Sequence, residues 1–202
     1  MSWYFLIKRT VDIFGSIIGL LIISPLVPFI IIAIKINSPG PALIKLSRVS
    51  KGKIIQAYKF RSMEAGSHEL KYTRLANLNE RKDGPFFKIK NDPRLTKTGK
   101  ILRKFRIDEF PQLINVLKGE LSLVGPRPHE PKEISNYPEK YKNLPIETAG
   151  VTGLSQISGA SSLPFLKELE LDNYYLKNRS LYMDAKIILK TIAILLFDPT
   201  AV

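Results

Sequence analysis

The chain has 202 residues, with 31 lysines and arginines against 18 acidic residues and a formal net charge of +13. The absence of cysteine excludes disulfides, thiolate catalysis and cysteine-ligated metals. The excess of positive charge favours an anionic partner, whether nucleic acid, a phospholipid surface or a phosphorylated substrate.

The first distinctive element is an apolar run, residues 13–34, with the sequence IFGSIIGLLIISPLVPFIIIAI. About 20 apolar residues suffice to cross a bilayer. A cleaved signal peptide has a shorter apolar region and a small-residue cleavage site, and a buried helix of a soluble protein normally shows a polar face. The run therefore favours a membrane segment over these two alternatives.

Pro25 and Pro28 lie near the middle of this run, where each removes a backbone hydrogen bond and bends the helix. The hydroxyl of Ser24 is available to a freed backbone carbonyl. Basic residues lie on both sides of the run, and positive charge prefers the cytoplasmic side of a membrane. We expect a re-entrant helix, kinked at Ser24 and Pro25, that enters and leaves by the same face. A kinked helix that spans the membrane is the remaining alternative.

Residues 1–36 are therefore predicted to anchor the chain, and residues 37–202 to form a second domain. ALIKLSRV and KIIQAYKFRSM read as two strands of a β-hairpin, and residues 64–82 are compatible with a helix. A basic helix is expected to begin at Thr98 or Gly99, and two helices close the chain. The last of them suits either the headgroup plane or packing on the core. The predicted fold class is α+β, mainly helical, with a short β-hairpin, an N-terminal re-entrant membrane helix and interfacial amphipathic helices.

Two adjacent carboxylates, Asp108 and Glu109, occur in the stretch RKFRIDEFPQ, residues 103–112. One interpretation is local: Asp is a favoured N-cap, Glu favours the first turn of a helix, and Pro111 is tolerated there. The other is chemical. A helix start beside several cations is a natural phosphate site, and a carboxylate that attacks phosphorus forms an acyl-phosphate. The sequence pattern by itself leaves both interpretations open.

A second cationic element is VGPRPHEP, in which prolines on both sides of Arg127 restrict its backbone to an extended form. Arginine suits bidentate binding of phosphate. A solvated arginine in a turn is the alternative. Lys59 and Arg61, on the predicted second strand, would add charge, although alternating charges on a strand usually mark a solvent-facing side.

The sequence DPRLTKTGKILRKFRIDEFPQLINVLKGELSLVGPRP, residues 92–128, closely resembles the signature of bacterial monotopic phosphoglycosyl transferases. The similarity covers nearly the whole chain and includes SPGPALIKLSRV, YKFRSM, DGPFFKIKNDPR, VTGLSQISG and LDNYYLKNRSLYMDAKIILKT. The arrangement is similar to a small family member, or to the catalytic domain of a larger one.

This resemblance implies transfer of a sugar 1-phosphate from a UDP-sugar to polyprenyl (undecaprenyl) phosphate, with release of UMP, in the first membrane step of polysaccharide or glycoconjugate assembly. It implies that Asp108 is the nucleophile and a Mg²⁺ ligand, and that Glu109 assists proton removal from the acceptor. The positions matching the family's phosphate-binding cations are Lys59, Arg103 and Arg127. Residues 37–202 would then be the catalytic domain, at the cytoplasmic face of the bacterial inner membrane.

The expected partners are a UDP-sugar, polyprenyl phosphate, membrane lipids and downstream glycosyltransferases, with a homodimer as an option and no nucleic acid. The rival hypothesis is a basic membrane-associated or nucleic-acid-binding protein without catalysis. Several positions depart from the family pattern, which puts nucleotide or sugar recognition in doubt. They are Leu46, Ser50, Arg106, Thr148, Ala149, Ser155 and Ala160.

Overall fold

The N-terminal apolar segment consists of two helices separated by a short break. The computed structural model describes residues 3–159 and 162–197, so Ala160 lies outside the described residues. Helix α1 is Trp3–Ile23, a 3-10 turn follows at Ser24–Leu26, and α2 is Val27–Asn37. The combined run is long and apolar enough to cross a membrane, and most of its side chains are exposed. The predicted kink at Ser24 and Pro25 coincides with this break between the helices. There Ser24 Oγ donates a hydrogen bond to the Leu21 carbonyl at 2.9 Å.

The predicted β-hairpin is confirmed. Strands β1 (Leu43–Ser50) and β2 (Lys53–Phe60) pair antiparallel, from Leu43 opposite Phe60 to Ser50 opposite Lys53. A second, parallel pair joins β3 (Ser122–Val124) to β4 (Gly150–Thr152). The sequence did not predict this pair, because strands of three residues carry too little periodicity to be recognised.

The expectation that residues 64–82 form a helix is wrong. This segment forms two 3-10 helices, His68–Tyr72 and Ala76–Leu78, followed by an irregular loop. The Asn79 side-chain amide accounts for much of the difference, because it makes four hydrogen bonds to backbone groups of Arg81, Phe86 and Lys88. An asparagine side chain that bonds the backbone in this way competes with helix formation.

The other helices surround these strands. They are α3 (Lys97–Lys104), α4 (Gln112–Leu117), α5 (Pro131–Ile134), α6 (Leu154–Ile157), α7 (Phe165–Asn178) and α8 (Leu181–Phe197). Helix α3 begins earlier than expected, because the Thr96 side chain is its N-cap and accepts a hydrogen bond from Gly99 N at 2.9 Å. The two closing helices, α7 and α8, are confirmed.

The apolar anchor packs directly against the rest of the fold. Ile23, Ile30 and Ile34 form a core cluster with Phe60 of β2 and Leu102 of α3. Helix α1 also packs along α4 and β3. The chain is thus mainly helical with a short antiparallel hairpin, as predicted, while the re-entrant and interfacial placements stay predictions.

Candidate active site

The two adjacent carboxylates lie in a tight turn between α3 and α4. Asp108 and Glu109 belong to a 3-10 turn, Ile107–Glu109, and the N-cap of α4 is Pro111. The interpretation of Asp108 as a simple helix cap is therefore wrong. The flanking residues Ile107 and Phe110 pack against the core cluster formed by the anchor, so this turn is mounted on the apolar helices.

Lys59 of β2 lies between the two carboxylates. Its Nζ is 3.0 Å from Asp108 Oδ2 and 3.0 Å from Glu109 Oε1, and only the Glu109 contact has hydrogen-bond geometry. The Asp108 side chain is 3% exposed, whereas that of Glu109 is 38% exposed. Asp108 Oδ2 is consequently a buried oxygen without a hydrogen-bond donor among the described residues. Leaving such an atom unsatisfied is costly, and this is common where a substrate completes the site.

The charge on Glu109 is strongly stabilised. Burial raises its pKa, but the positive charges of Lys59 and Arg127 and the Lys59 hydrogen bond outweigh burial and bring the pKa to about 2. Arg106 contributes in the same direction. Glu109 is therefore ionised at neutral pH.

Arg103 is held in the wall of the cleft by a close approach of α3 to the segment after β2. A Cβ on Gly99 would lie 1.8 Å from the Ser62 carbonyl oxygen, so only glycine allows this packing. The approach brings Arg103 Nε within 3.0 Å of Ser62 Oγ. Arg61, which the sequence offered as additional charge, instead donates to the backbone carbonyls of Ser38 and Pro39 and is buried.

Arg127 follows β3, between Pro126 and Pro128. Its backbone N–H donates to Asp172 Oδ2 at 3.0 Å, and its Nε is 3.7 Å from Glu168 Oε1. Both acids lie on the buried face of α7. Arg127 is thus fixed at its backbone by one carboxylate and faces a second one with its guanidinium.

Sequence reasoning missed Glu168, the acid that organises this side of the site. Its oxygens also contact His129 Nε2 at 3.0 Å and Arg81 Nη1 at 3.3 Å. Glu168 stands between Phe165 and Leu169 on the apolar stripe of α7, and a carboxylate in such a stripe is the signal that could have revealed it.

These residues line one cleft of about 510 Å³. The structure brings together all five side chains that the sequence singled out, namely Lys59, Arg103, Asp108, Glu109 and Arg127. Further cations that line the same cleft are Lys45, Arg48, Arg61, Lys71, Arg81, Lys88, Arg94 and Arg106. The hairpin wall contributes an apolar strip that includes Leu46, one of the positions that depart from the family pattern. Eleven lysine and arginine side chains and seven acidic side chains line the cleft. Its excess of positive charge suits an anionic substrate, and Asp108 offers a carboxylate for a covalent reaction.

The described residues contain no group of three His, Cys, Asp or Glu side chains placed to hold a metal ion. Mg²⁺ is often bound by one or two carboxylates together with substrate phosphates. The adjacent carboxylates of Asp108 and Glu109 fit that shared mode of binding, and they do not fit a site built from protein ligands alone.

Two other departures from the family pattern have structural roles. Ser50 is buried at the end of β1, where its Oγ donates to the Glu120 carbonyl at 2.7 Å and accepts from Ala149 N at 3.0 Å. Ser155 is fully buried in α6. Both residues therefore support the frame of the cleft and do not line it.

Several known proteins are similar to this chain over most of its length. The undecaprenyl-phosphate galactose phosphotransferase of Salmonella typhimurium is 40% identical over 94% of this chain and 40% of its own length. The UDP-glucose:undecaprenyl-phosphate glucose-1-phosphate transferase of Escherichia coli is 35% identical over 93% of this chain and 39% of its own. The exopolysaccharide production protein PSS of Rhizobium leguminosarum bv. phaseoli is 37% identical over 92% of this chain and 93% of its own.

The chain thus spans about two fifths of the length of several of its relatives and nearly all of a shorter one. The family model for bacterial sugar transferases matches residues 3–198, which include the whole cleft. The chain therefore belongs to the bacterial sugar transferase family.

Proposed function

We propose that this protein transfers a sugar 1-phosphate from a UDP-sugar to undecaprenyl phosphate or a similar polyprenyl phosphate. The observation that carries this proposal is the buried Asp108, which lies in the wall of a cationic cleft with its Oδ2 3.0 Å from Lys59 Nζ and without a hydrogen bond from any described residue. The names of the Salmonella and Escherichia relatives, which describe transfer of a sugar phosphate to undecaprenyl phosphate, support the same reaction.

The reaction proceeds in two displacements at one phosphorus atom. Asp108 Oδ2 attacks the phosphorus that carries the sugar, the bond to the UMP oxygen breaks, and UMP leaves with the bonding electron pair. An oxygen of polyprenyl phosphate then attacks the same phosphorus and expels the Asp108 carboxylate. The product is a polyprenyl-diphospho-sugar, and the enzyme returns to its starting state.

Glu109 receives the proton of the acceptor phosphate in the second step. With a pKa of about 2 it is a poor base in the free cleft. A bound phosphate competes for Lys59 and Arg127, the two cations that lower this pKa most, and so raises the basicity of Glu109 when the substrate is present. Lys59, Arg103 and Arg127 bind the phosphate oxygens and balance their charge.

Asp108 and Glu109 are the residues that would hold Mg²⁺, jointly with substrate phosphates. The ion would supply positive charge to neutralise the diphosphate of the donor. The membrane placement belongs to the same proposal, with the anchor re-entrant and the cleft at the cytoplasmic face. Ile107 and Phe110 support it, because they connect the carboxylate turn to the apolar helices. A soluble donor and a lipid-borne acceptor can then reach one site.

The proposal is tested by UMP release from a panel of UDP-sugars, with detergent-purified protein, Mg²⁺ and undecaprenyl phosphate. We expect one or a few sugars to release UMP, and Asp108→Asn to lower the rate by about 10⁴-fold or more, because the amide cannot act as nucleophile. Glu170→Gln, an exposed change on α7, is the control and should keep full activity. Asp108→Asn that retains wild-type turnover would refute the covalent mechanism, and no release by well-folded wild-type protein would refute the proposed function.

A further inference from the structure

Arg106 is a cation of the cleft for which neither the family signature nor the proposed mechanism provides a role. It lies two residues before Asp108, is half-buried and lines the cleft. Lys59, Arg103 and Arg127 each contact a side chain at 3.0, 3.0 and 3.7 Å respectively. The Arg106 guanidinium, in contrast, forms no ion pair and no hydrogen bond with another described residue. Its five N–H donors are therefore available to a ligand.

The backbone conformation of Arg106 is also unusual. It adopts the left-handed conformation, with φ of 53° and ψ of 20°, which is uncommon for a residue with a side chain. Its N–H donates to the Arg103 carbonyl at 3.0 Å, and its carbonyl accepts from Glu109 N at 3.2 Å. Arg106 is thus the corner that joins α3 to the carboxylate turn. Glycine would adopt this corner at lower cost, so the presence of a large cation here favours a function for its side chain.

The wall that carries Arg106 is continuous with the apolar anchor. Helix α3 leads directly to Arg106. Ile101 on this helix is 59% exposed, and Phe105, which follows its last residue, is 41% exposed. The same side of α3 packs on α2, through Leu102 in the core cluster and through Thr98 Oγ1, which donates to the Ala33 carbonyl at 3.2 Å. Ile101 and Phe105 do not line the cleft themselves, but they extend the apolar surface of the anchor along α3 as far as the residue next to Arg106.

We propose that Arg106 binds the phosphate of the lipid-borne acceptor. A guanidinium pairs with two oxygens of a phosphate, and this one enters the cleft from the side that adjoins the apolar surface. The polyprenyl chain would lie along Ile101 and Phe105, which places its phosphate beside Arg106 and Glu109. The inference deepens the proposed function and rests on it, because it assigns a subsite to the second substrate.

The test separates the two substrates. With Arg106→Ser we expect the KM for undecaprenyl phosphate to rise about 10-fold or more, as for loss of a charged hydrogen bond. The exchange of labelled UMP into the UDP-sugar without acceptor should stay near wild type, because it involves the donor alone. Arg106→Lys should restore part of the affinity for the acceptor, since lysine keeps the positive charge but lacks the paired N–H donors of a guanidinium. Lys104→Ser, an exposed cation in the last turn of α3 that does not line the cleft, should change neither parameter.

Arg106→Gly separates the side chain from the backbone. It relieves the left-handed strain, so we expect a protein at least as stable as wild type with the same rise in acceptor KM. An unchanged acceptor KM in Arg106→Ser, or an equal loss in the donor-only exchange, would overturn the inference.

Direct binding of a short-chain polyprenyl phosphate to Asp108→Asn, with and without Arg106→Ser, gives a readout that is independent of turnover. Weaker binding in the double variant supports the acceptor subsite even if the proposed reaction fails. Equal binding excludes the subsite even if wild-type transfer is observed. Failure of the inference and failure of the proposed function are therefore distinguishable.

Discussion

The buried carboxylate of Glu168 connects cations from separate segments of the chain. Arg81 comes from the loop after the two 3-10 helices, while Arg127 and His129 come from the proline-rich stretch after β3. Burial raises the pKa of Glu168, but the His129 hydrogen bond and the charges of Arg127 and Arg81 bring it down to about 2. Because Glu168 does not reach the carboxylate turn, we regard it as a positioning residue for Arg127.

Glu168→Gln should weaken this arrangement without removing a reacting group. We expect a loss of stability of about 3 kcal/mol or more at neutral pH, since Arg81, Arg127 and His129 lose the buried charge that they share. The donor KM should rise because Arg127 is less well placed, while Glu170→Gln on the exposed face of α7 should change neither quantity. Chemical denaturation in detergent and initial rates against donor concentration measure the two effects.

The pH dependence of this stability difference has a defined sign. The pKa of Glu168 lies below the ordinary value of 4.5, so the stabilisation is present in full above about pH 4.5 and is lost as the pH falls towards 2. The difference between wild type and Glu168→Gln should therefore shrink over that range. A difference that stays constant down to pH 2 would show that packing, and not charge, accounts for the effect.

At the scale of single residues, local sequence predicted the candidate reactive groups and missed their supports. Asp108, Glu109 and Arg127 stand in a short, specific motif, and the structure brings them into one cleft, while their chemical roles stay predictions. The pairing of Glu168 with Arg81 and Arg127 joins positions 87 and 41 residues apart, and no local pattern encodes it.

Among the elements, α1 is attached to the domain by polar contacts as well as apolar ones. Asp12 is buried, and its Oδ1 accepts hydrogen bonds from Ser122 Oγ at 3.0 Å and Leu123 N at 2.8 Å. Arg9 donates to two carbonyls at the C-terminal end of α4. A side chain at Gly19 would meet Leu113 of α4 at 2.6 Å, so the two helices approach closely. The anchor is thus a structural part of the domain.

Asp12→Ala should loosen the docking of α1, because it removes both hydrogen bonds and leaves the Leu123 N–H unpaired. We expect a loss of about 1–3 kcal/mol, measured by denaturation in detergent. Asp12→Asn keeps an oxygen in the same place and should retain most of the stability, and the exposed Thr10→Ala on the same helix should be neutral. Equal stability of Asp12→Ala and wild type would show that apolar packing alone docks the helix.

Element prediction succeeded where a long periodic or apolar pattern existed, as in the β1–β2 hairpin, α7, α8 and the apolar anchor. It failed for residues 64–82, where the side chain of Asn79 replaces helical hydrogen bonds by bonds to a loop. It also missed β4, whose three residues acquire their structure from pairing with β3. In both cases the deciding contact lies outside the local segment.

At the scale of the whole molecule, the question is how the anchor and the cleft are arranged with respect to the membrane. Residues of the anchor touch the domain along its length, from Lys8 with Asp184 of α8 to Thr98 of α3 with Ala33. A spanning helix needs about 20 consecutive residues surrounded mainly by lipid. Asp12, Ile23 and Ile30 make such contacts in between, but most side chains of the anchor are exposed, so these contacts are compatible with both a re-entrant and a spanning anchor.

Single cysteines can test this arrangement, because the natural chain has none. Trp3→Cys and Ile36→Cys mark the two ends of the anchor, where the native side chains are 77% and 79% exposed, and Glu139→Cys marks the domain. If the anchor is re-entrant, a membrane-impermeant maleimide should label all three in inverted membrane vesicles and none in intact spheroplasts. Labelling of Trp3→Cys and Ile36→Cys from opposite sides would instead show a spanning helix, and the cleft would then need another route to the lipid phosphate. A same-side result would place both ends of the anchor and the domain that carries Arg106 at one membrane face, the arrangement that the proposed acceptor subsite requires.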